Sequence, residues 1–127
     1  MFFRSSKPKG ADAQARPANE MPVVSGDTDI DRLMSSGIVM LFKHSAACPV
    51  SWMAHAHVAR FRSKNPDIQV HLVPVIEQRA TSRKIAELTR VRHESPQVIV
   101  LRDGVVASVA SHEQITEGHL SGVFAAL

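Results

Sequence analysis

Ile38-Val39-Met40-Leu41-Phe42-Lys43-His44-Ser45-Ala46-Ala47-Cys48-Pro49-Val50-Ser51 is the stretch on which the fold turns. Ile38 to Phe42 is an unbroken apolar run, which predicts a strand buried on both faces. Lys43 to Ala47 then reads as a loop at that strand's C-terminal end. From Pro49 onward, Val50, Met53, Ala54, His57, Val58 and Phe61 recur at helical spacing, and the helix should fade between Ser63 and Pro66. Cys48 therefore sits at a strand-to-helix junction with proline at the first helical position. Unpaired backbone N–H groups and the positive end of the helix dipole meet a side chain there, and both favour thiolate over thiol.

The pattern continues on either side. Asp27, Thr28 and Asp29 place caps and negative charge ahead of the apolar face Ile30, Leu33 and Met34, and Gly37 ends that leading helix. Ile68 to Ile76 is a second apolar strand with Pro74 near its end, and Ser82 is the expected cap of a short helix carrying Ile85, Ala86 and Leu88. Gln97 to Leu101 and Val105 to Val109 are joined by Arg102-Asp103-Gly104, a hairpin signal. Ser111 to Thr116 offers caps for a closing helix with the stripe Leu120, Val123, Phe124 and Leu127, weakened by Gly118 and Gly122.

The core order is βαβαββα. It predicts an α/β fold: a three-layer α/β/α sandwich around a mixed four-stranded sheet, with an extra N-terminal helix. Residues 1–24, rich in Ser, Pro, Ala, Lys and Gly and without periodicity, read as a disordered extension, and residues 25–127 as one domain.

With 127 residues and 44% hydrophobic content, the chain can build a core without disulfides or metal. Arg4, Lys7, Lys9 and Arg16 against Asp12 and Glu20 supply +2 of the net +3, so the body is close to neutral. Four scattered cations without interleaved aromatics predict no specific nucleic-acid binding. No run is long and uncharged enough to predict a membrane span or a signal-peptide core.

Cys48 is the only cysteine. An internal disulfide is therefore impossible, and redox chemistry must pass through a mixed disulfide with another molecule. A free thiol without a disulfide framework predicts a cytoplasmic location. Seven histidines raise a metal question, but His55 and His57 fall on different sides of a helix, and His57 reads as a core histidine. No metal site is expected, and Trp52 is expected to pack.

The Cys-Pro-x-x turn after the first core strand, with Pro96 opening the third, resembles the thioredoxin fold. The likeness sharpens to the monothiol bacilliredoxin family, of YtxJ or BrxC type, through Phe42-Lys43-His44-Ser45, Cys48-Pro49-Val50-Ser51, His93-Glu94-Ser95-Pro96-Gln97 and Ser111-His112. It covers roughly residues 25 to 127. Where that family usually has threonines before Cys-Pro, this chain has Ala46 and Ala47.

The resemblance implies an enzyme, a thiol–disulfide oxidoreductase that removes bacillithiol from client proteins. Bacillithiol is a small thiol built of cysteine, glucosamine and malate. It would serve as co-substrate with no tightly bound cofactor; S-thiolated clients and a regenerating reductase would be the partners. Cys48 would be the attacking thiolate in the turn Pro49, Val50 and Ser51. Pro96, cis in such proteins, would shape the substrate groove with Ser95 and Gln97.

Ser51 stands where a dithiol protein has its resolving cysteine; its hydroxyl can bond a thiolate but form no disulfide. Lys43, His44, Arg79, Arg92 and His93 are the candidate stabilisers of the thiolate or of an anionic ligand. Each has a plainer reading as a solvated cation or a turn residue. Two other functions stay open: an iron–sulfur cluster carrier like monothiol glutaredoxins, whose Cys-Gly-Phe-Ser turn differs from the Cys-Pro-Val-Ser here, and a binding module that performs no chemistry.

Overall fold

The computed structural model describes residues 21–127. Most of the expected extension, residues 1–20, lies outside the described residues. Residues 21–24, its last four, belong to the body instead. Met21 and Val24 are buried, and Pro22 O and Val24 N–H both bond the backbone of Leu72, at 2.7 and 2.9 Å. This apolar segment covers a sheet edge that would otherwise present unpaired backbone groups.

The elements are α1 (Gly26–Ser35), β1 (Ile38–His44), α2 (Pro49–Lys64), β2 (Gln69–Pro74), α3 (Arg79–Thr89), β3 (Gln97–Arg102), β4 (Val105–Ser111), a 3-10 turn (His112–Gln114) and α4 (Glu117–Ala125). The sheet order is β2-β1-β3-β4. β1 runs parallel to β2 and antiparallel to β3, and β3 pairs antiparallel with β4. This is the mixed four-stranded sheet expected from the hydrophobic pattern.

Side chains alternate across a strand, so β1 feeds two cores. Met40 and Phe42 pack with Ala54, Val58 and Phe61 of α2 and Leu120 of α4. Val39 and Leu41 pack with Ile30 and Leu33 of α1 and Ile85 of α3. Helices thus cover both faces.

Two boundaries differ from expectation at places that matter for the site. β1 extends through Lys43 and His44, because both pair across to β2 while Lys43 also pairs with Gln97 of β3. Polarity alone marks these two residues as loop, yet backbone pairing holds them in the sheet. α3 begins at Arg79, three residues ahead of the expected cap, so Ser82 lies buried within the helix. The β3–β4 turn is as expected: Asp103 and Gly104 both have positive φ, and a Cβ at position 104 would collide with the Met34 carbonyl.

Candidate active site

Cys48 is the N-cap of α2, half-buried, with extended backbone and Pro49 beginning the helix. Its N–H donates to the Ser45 carbonyl at 3.2 Å, and its own carbonyl accepts from Trp52 N–H at 3.2 Å. The turn is thereby closed on itself. Pro49 is exposed and Val50 half-buried.

Ser51 does something other than expected. It is fully buried, accepts the Ser45 N–H at 2.9 Å and lies 2.7 Å from His44 Nδ1. Its hydroxyl fastens the turn to the strand end, and the expected support of a thiolate is replaced by this structural role.

His44 is 4% exposed, and burial together with the neighbouring His55 pushes its pKa down to about 4. It is therefore a neutral ring at pH 7, not the cation expected beside the thiol. Trp52 packs edge-on against it at 4.5 Å, and His55 lies 5.0 Å from His44 and 5.1 Å from Trp52. The Trp52 indole N–H donates to the Ala46 carbonyl at 2.8 Å, pinning the two-alanine segment before the cysteine. Even so, Trp52 is half exposed, and Met53 and Ile76 are exposed as well. The packing expected of Trp52 is thus only partial: one edge packs and the rest is exposed.

Lys43 turns away from this cluster. It is fully buried, on the α3 side of the sheet, and Nζ donates to the Ser82 carbonyl and to His93 Nδ1, both at 3.1 Å. Burial lowers its pKa to about 8, so the ammonium persists at pH 7. His93 Nδ1 also lies 3.2 Å from the Ser82 hydroxyl; burial, then the Lys43 charge, holds its pKa below the usual histidine value.

The Ser95–Pro96 peptide bond is cis. Gln97, expected in the substrate groove, is buried instead. Its Nε2 donates to the Arg92 carbonyl at 3.0 Å and contacts the Ser111 hydroxyl at 3.4 Å, bracing the loop that carries Pro96. The Pro96 carbonyl accepts from His112 N–H at 3.0 Å, and the His112 ring faces Glu94 at 3.4 Å. The Ser95 hydroxyl is buried without a protein partner among the described residues.

Arg79 lines a cavity with His93 and Ser82, whereas exposed Arg92 is not among the residues lining it. His57 is half-buried and accepts the Glu117 N–H at 3.1 Å, the satisfied role expected of it. Among the described residues, no three of His, Cys, Asp or Glu are grouped to hold a metal.

The geometry is that of a single thiol set on a helix N-terminus, with a cis-proline loop entering the sheet at the end where β1 leads to the cysteine turn. The family model described as "Monothiol bacilliredoxin BrxC" matches residues 25–120. The chain belongs to the monothiol bacilliredoxin family. Among solved structures, a protein described as an oxidoreductase with a thioredoxin fold superposes with a TM-score of 0.76 at 26% identity, covering 82% of this chain and 93% of that one. Thioredoxin from Trypanosoma brucei brucei gives 0.71 at 15% identity, covering 89% and 94%. A thioredoxin variant from Halobacterium salinarum gives 0.68 at 18%, covering 88% and 94%. The last two speak for the fold alone; with the family match, the first supports thiol–disulfide oxidoreductase chemistry.

Local sequence pattern does not single out three residues that surround this bacilliredoxin site. Ser82 reads as a cap, Arg83 stands in no motif, and His112 enters only as part of the Ser111-His112 pair. Ser82 and His112 are placed by contacts with segments distant in sequence, and Arg83 by the cavity it lines, none of which spacing reveals. No helix among the described residues is long and apolar enough to cross a membrane.

Histidines that folding takes partly or wholly out of water make stability pH-dependent. His44, His55, His71 and His93 all have lowered pKa values, chiefly through burial. The unfolded chain therefore takes up protons near pH 6.5 that the folded chain refuses until lower pH, and stability falls on acidification through that interval. His44 alone corresponds to about 2 kcal/mol at pH 5. Unfolding free energies from urea titrations at pH 7 and pH 5 should differ by that much or more; equal values would contradict the burial of these rings.

Proposed function

We propose that the protein is a monothiol exchange enzyme that removes bacillithiol, or a similar low-molecular-weight thiol, from mixed disulfides on client proteins. The Cys48 thiolate attacks the small-thiol sulfur of the client disulfide. A Cys48–bacillithiol disulfide forms, the client–bacillithiol S–S bond breaks, and the client leaves as a thiolate that takes a proton from solvent. A second small-thiol thiolate, or a reductase, then attacks the Cys48 adduct and returns Cys48 to the free form.

The observation that carries this reading is the pairing of a half-buried Cys48 at the α2 N-cap with a buried, hydrogen-bonded Ser51 where a second thiol would stand. Such a turn can accept a small thiol but cannot resolve the adduct internally. The cis Ser95–Pro96 loop, the exposed apolar Trp52, Met53 and Ile76, and the family match support a client-facing exchange site. A reducing compartment, the cytoplasm, fits a lone free thiol.

The test is intact-mass analysis after mixing the protein with a bacillithiol-modified client. A gain of one bacillithiol on this chain, with matching loss from the client, is expected. A client that stays modified, with no mass gain here, would reject the reading.

A further inference from the structure

A cavity of about 410 Å³ opens at the C-terminal end of β1 and β2, between the first turns of α3 and the loop leading to Pro96. Its polar lining is Arg79, Ser82, Arg83 and His93, and no carboxylate is among the lining residues. Arg79 and Arg83 stand four residues apart on α3 and so share a face. Neither guanidinium has an ion-pair partner among the described residues.

Behind this wall lies fully buried Lys43, held by Ser82 and His93, which line the same cavity. Its charge sits where solvent screens it poorly, so its field reaches into the cavity with more weight than a surface lysine's. Val75, Ile76 and Ala86 add apolar wall. The Val75 N–H donates to the His44 carbonyl at 3.0 Å, which ties the rim to the strand end that leads into the cysteine turn. The cavity thus opens at the same end of the sheet as Cys48.

We propose that this cavity binds the carboxylate-bearing portion of the small thiol exchanged at Cys48, so that the protein selects anionic small thiols over neutral ones. The inference rests on the thiol-exchange reading above. Two free guanidinium groups on one helix face can each grip a carboxylate through paired N–H donors, a geometry that lysine cannot reproduce. The apolar wall accommodates the linking carbon framework. Arg83, unremarked in the sequence, becomes a specificity residue beside Arg79.

The experiment compares rates of Cys48 adduct formation with two disulfides: that of bacillithiol, whose malate portion carries its carboxylates, and that of neutral 2-mercaptoethanol. In each case Cys48 thiolate displaces one thiolate from the symmetric disulfide and keeps the other half. The ratio of the two rates is expected to fall roughly tenfold in the Arg79→Ala/Arg83→Ala protein, the loss of about one charge-assisted hydrogen bond. An Arg79→Lys/Arg83→Lys protein should recover part of the ratio. An unchanged ratio in the alanine protein would overturn the proposal while leaving exchange at Cys48 intact.

A second measurement is independent of the chemistry. Cys48→Ser protein is titrated with reduced bacillithiol and the His93 ring resonances are followed by NMR. Saturable shifts that vanish in the Arg79→Ala/Arg83→Ala background are expected. Absent shifts, or shifts that survive loss of both arginines, would overturn the proposal. Failure of wild-type protein to react with either disulfide would instead reject the exchange reading, and the titration would still decide the cavity.

Discussion

A Cys48→Ala protein is expected to take up no small thiol and to leave a thiolated client unchanged. The chain holds no other thiol, since Cys48 is its only cysteine. Ser51 cannot substitute, because its oxygen is buried and committed to His44 and Ser45. A hydroxyl is in any case almost wholly protonated at neutral pH, so Cys48→Ser should be equally inactive. Both variants should fold, because the side chain is half-buried and the turn is closed by backbone and Ser51 contacts that neither change removes. Intact mass together with circular dichroism checks both statements. Activity remaining in a folded Cys48→Ala protein would mean that exchange does not pass through this turn.

Truncating Lys43 should have the largest effect on stability. Lys43→Ala empties a fully buried site and removes the donor to the Ser82 carbonyl and His93 Nδ1. Lost packing around the truncated side chain costs about 2–4 kcal/mol. Lys43→Met keeps most of the volume and relieves the desolvation of a buried ammonium. Replacing a buried charge by a well-packed apolar side chain is often neutral, so this variant should fall within about 1 kcal/mol of wild type. Urea unfolding at pH 7 separates the two. A Lys43→Ala protein as stable as wild type would show that the lysine end is hydrated in solution. A Lys43→Met protein as unstable as Lys43→Ala would show that the hydrogen bonds, not the packing, hold this corner of the fold.

The elements and their order are legible in the sequence because hydrophobic period is a local property. Ile38 to Phe42 has the pattern of a buried strand, and Val50 to Phe61 that of a helix lying on it. Asp103-Gly104 supplies the positive φ values that a tight hairpin needs. The single cysteine ahead of Pro49 likewise dictates, by composition alone, that disulfide chemistry at this turn needs a second molecule.

The fate of polar side chains is decided only in three dimensions. Lys43 and His44 are adjacent and both read as loop cations, yet strand alternation sends them to opposite faces, one as a buried ammonium held by α3, the other as a neutral ring on α2. Gln97 and Ser51 stand at positions that suggest substrate or thiolate contact and are structural braces. Arg83 belongs to no motif and lines a cavity. Hydrophobic burial repeats with the backbone and can be read from spacing. A polar group's role depends on which partner it meets, on its burial and on the charge that survives there, and those follow from tertiary contacts, some within one turn region and some between segments tens of residues apart.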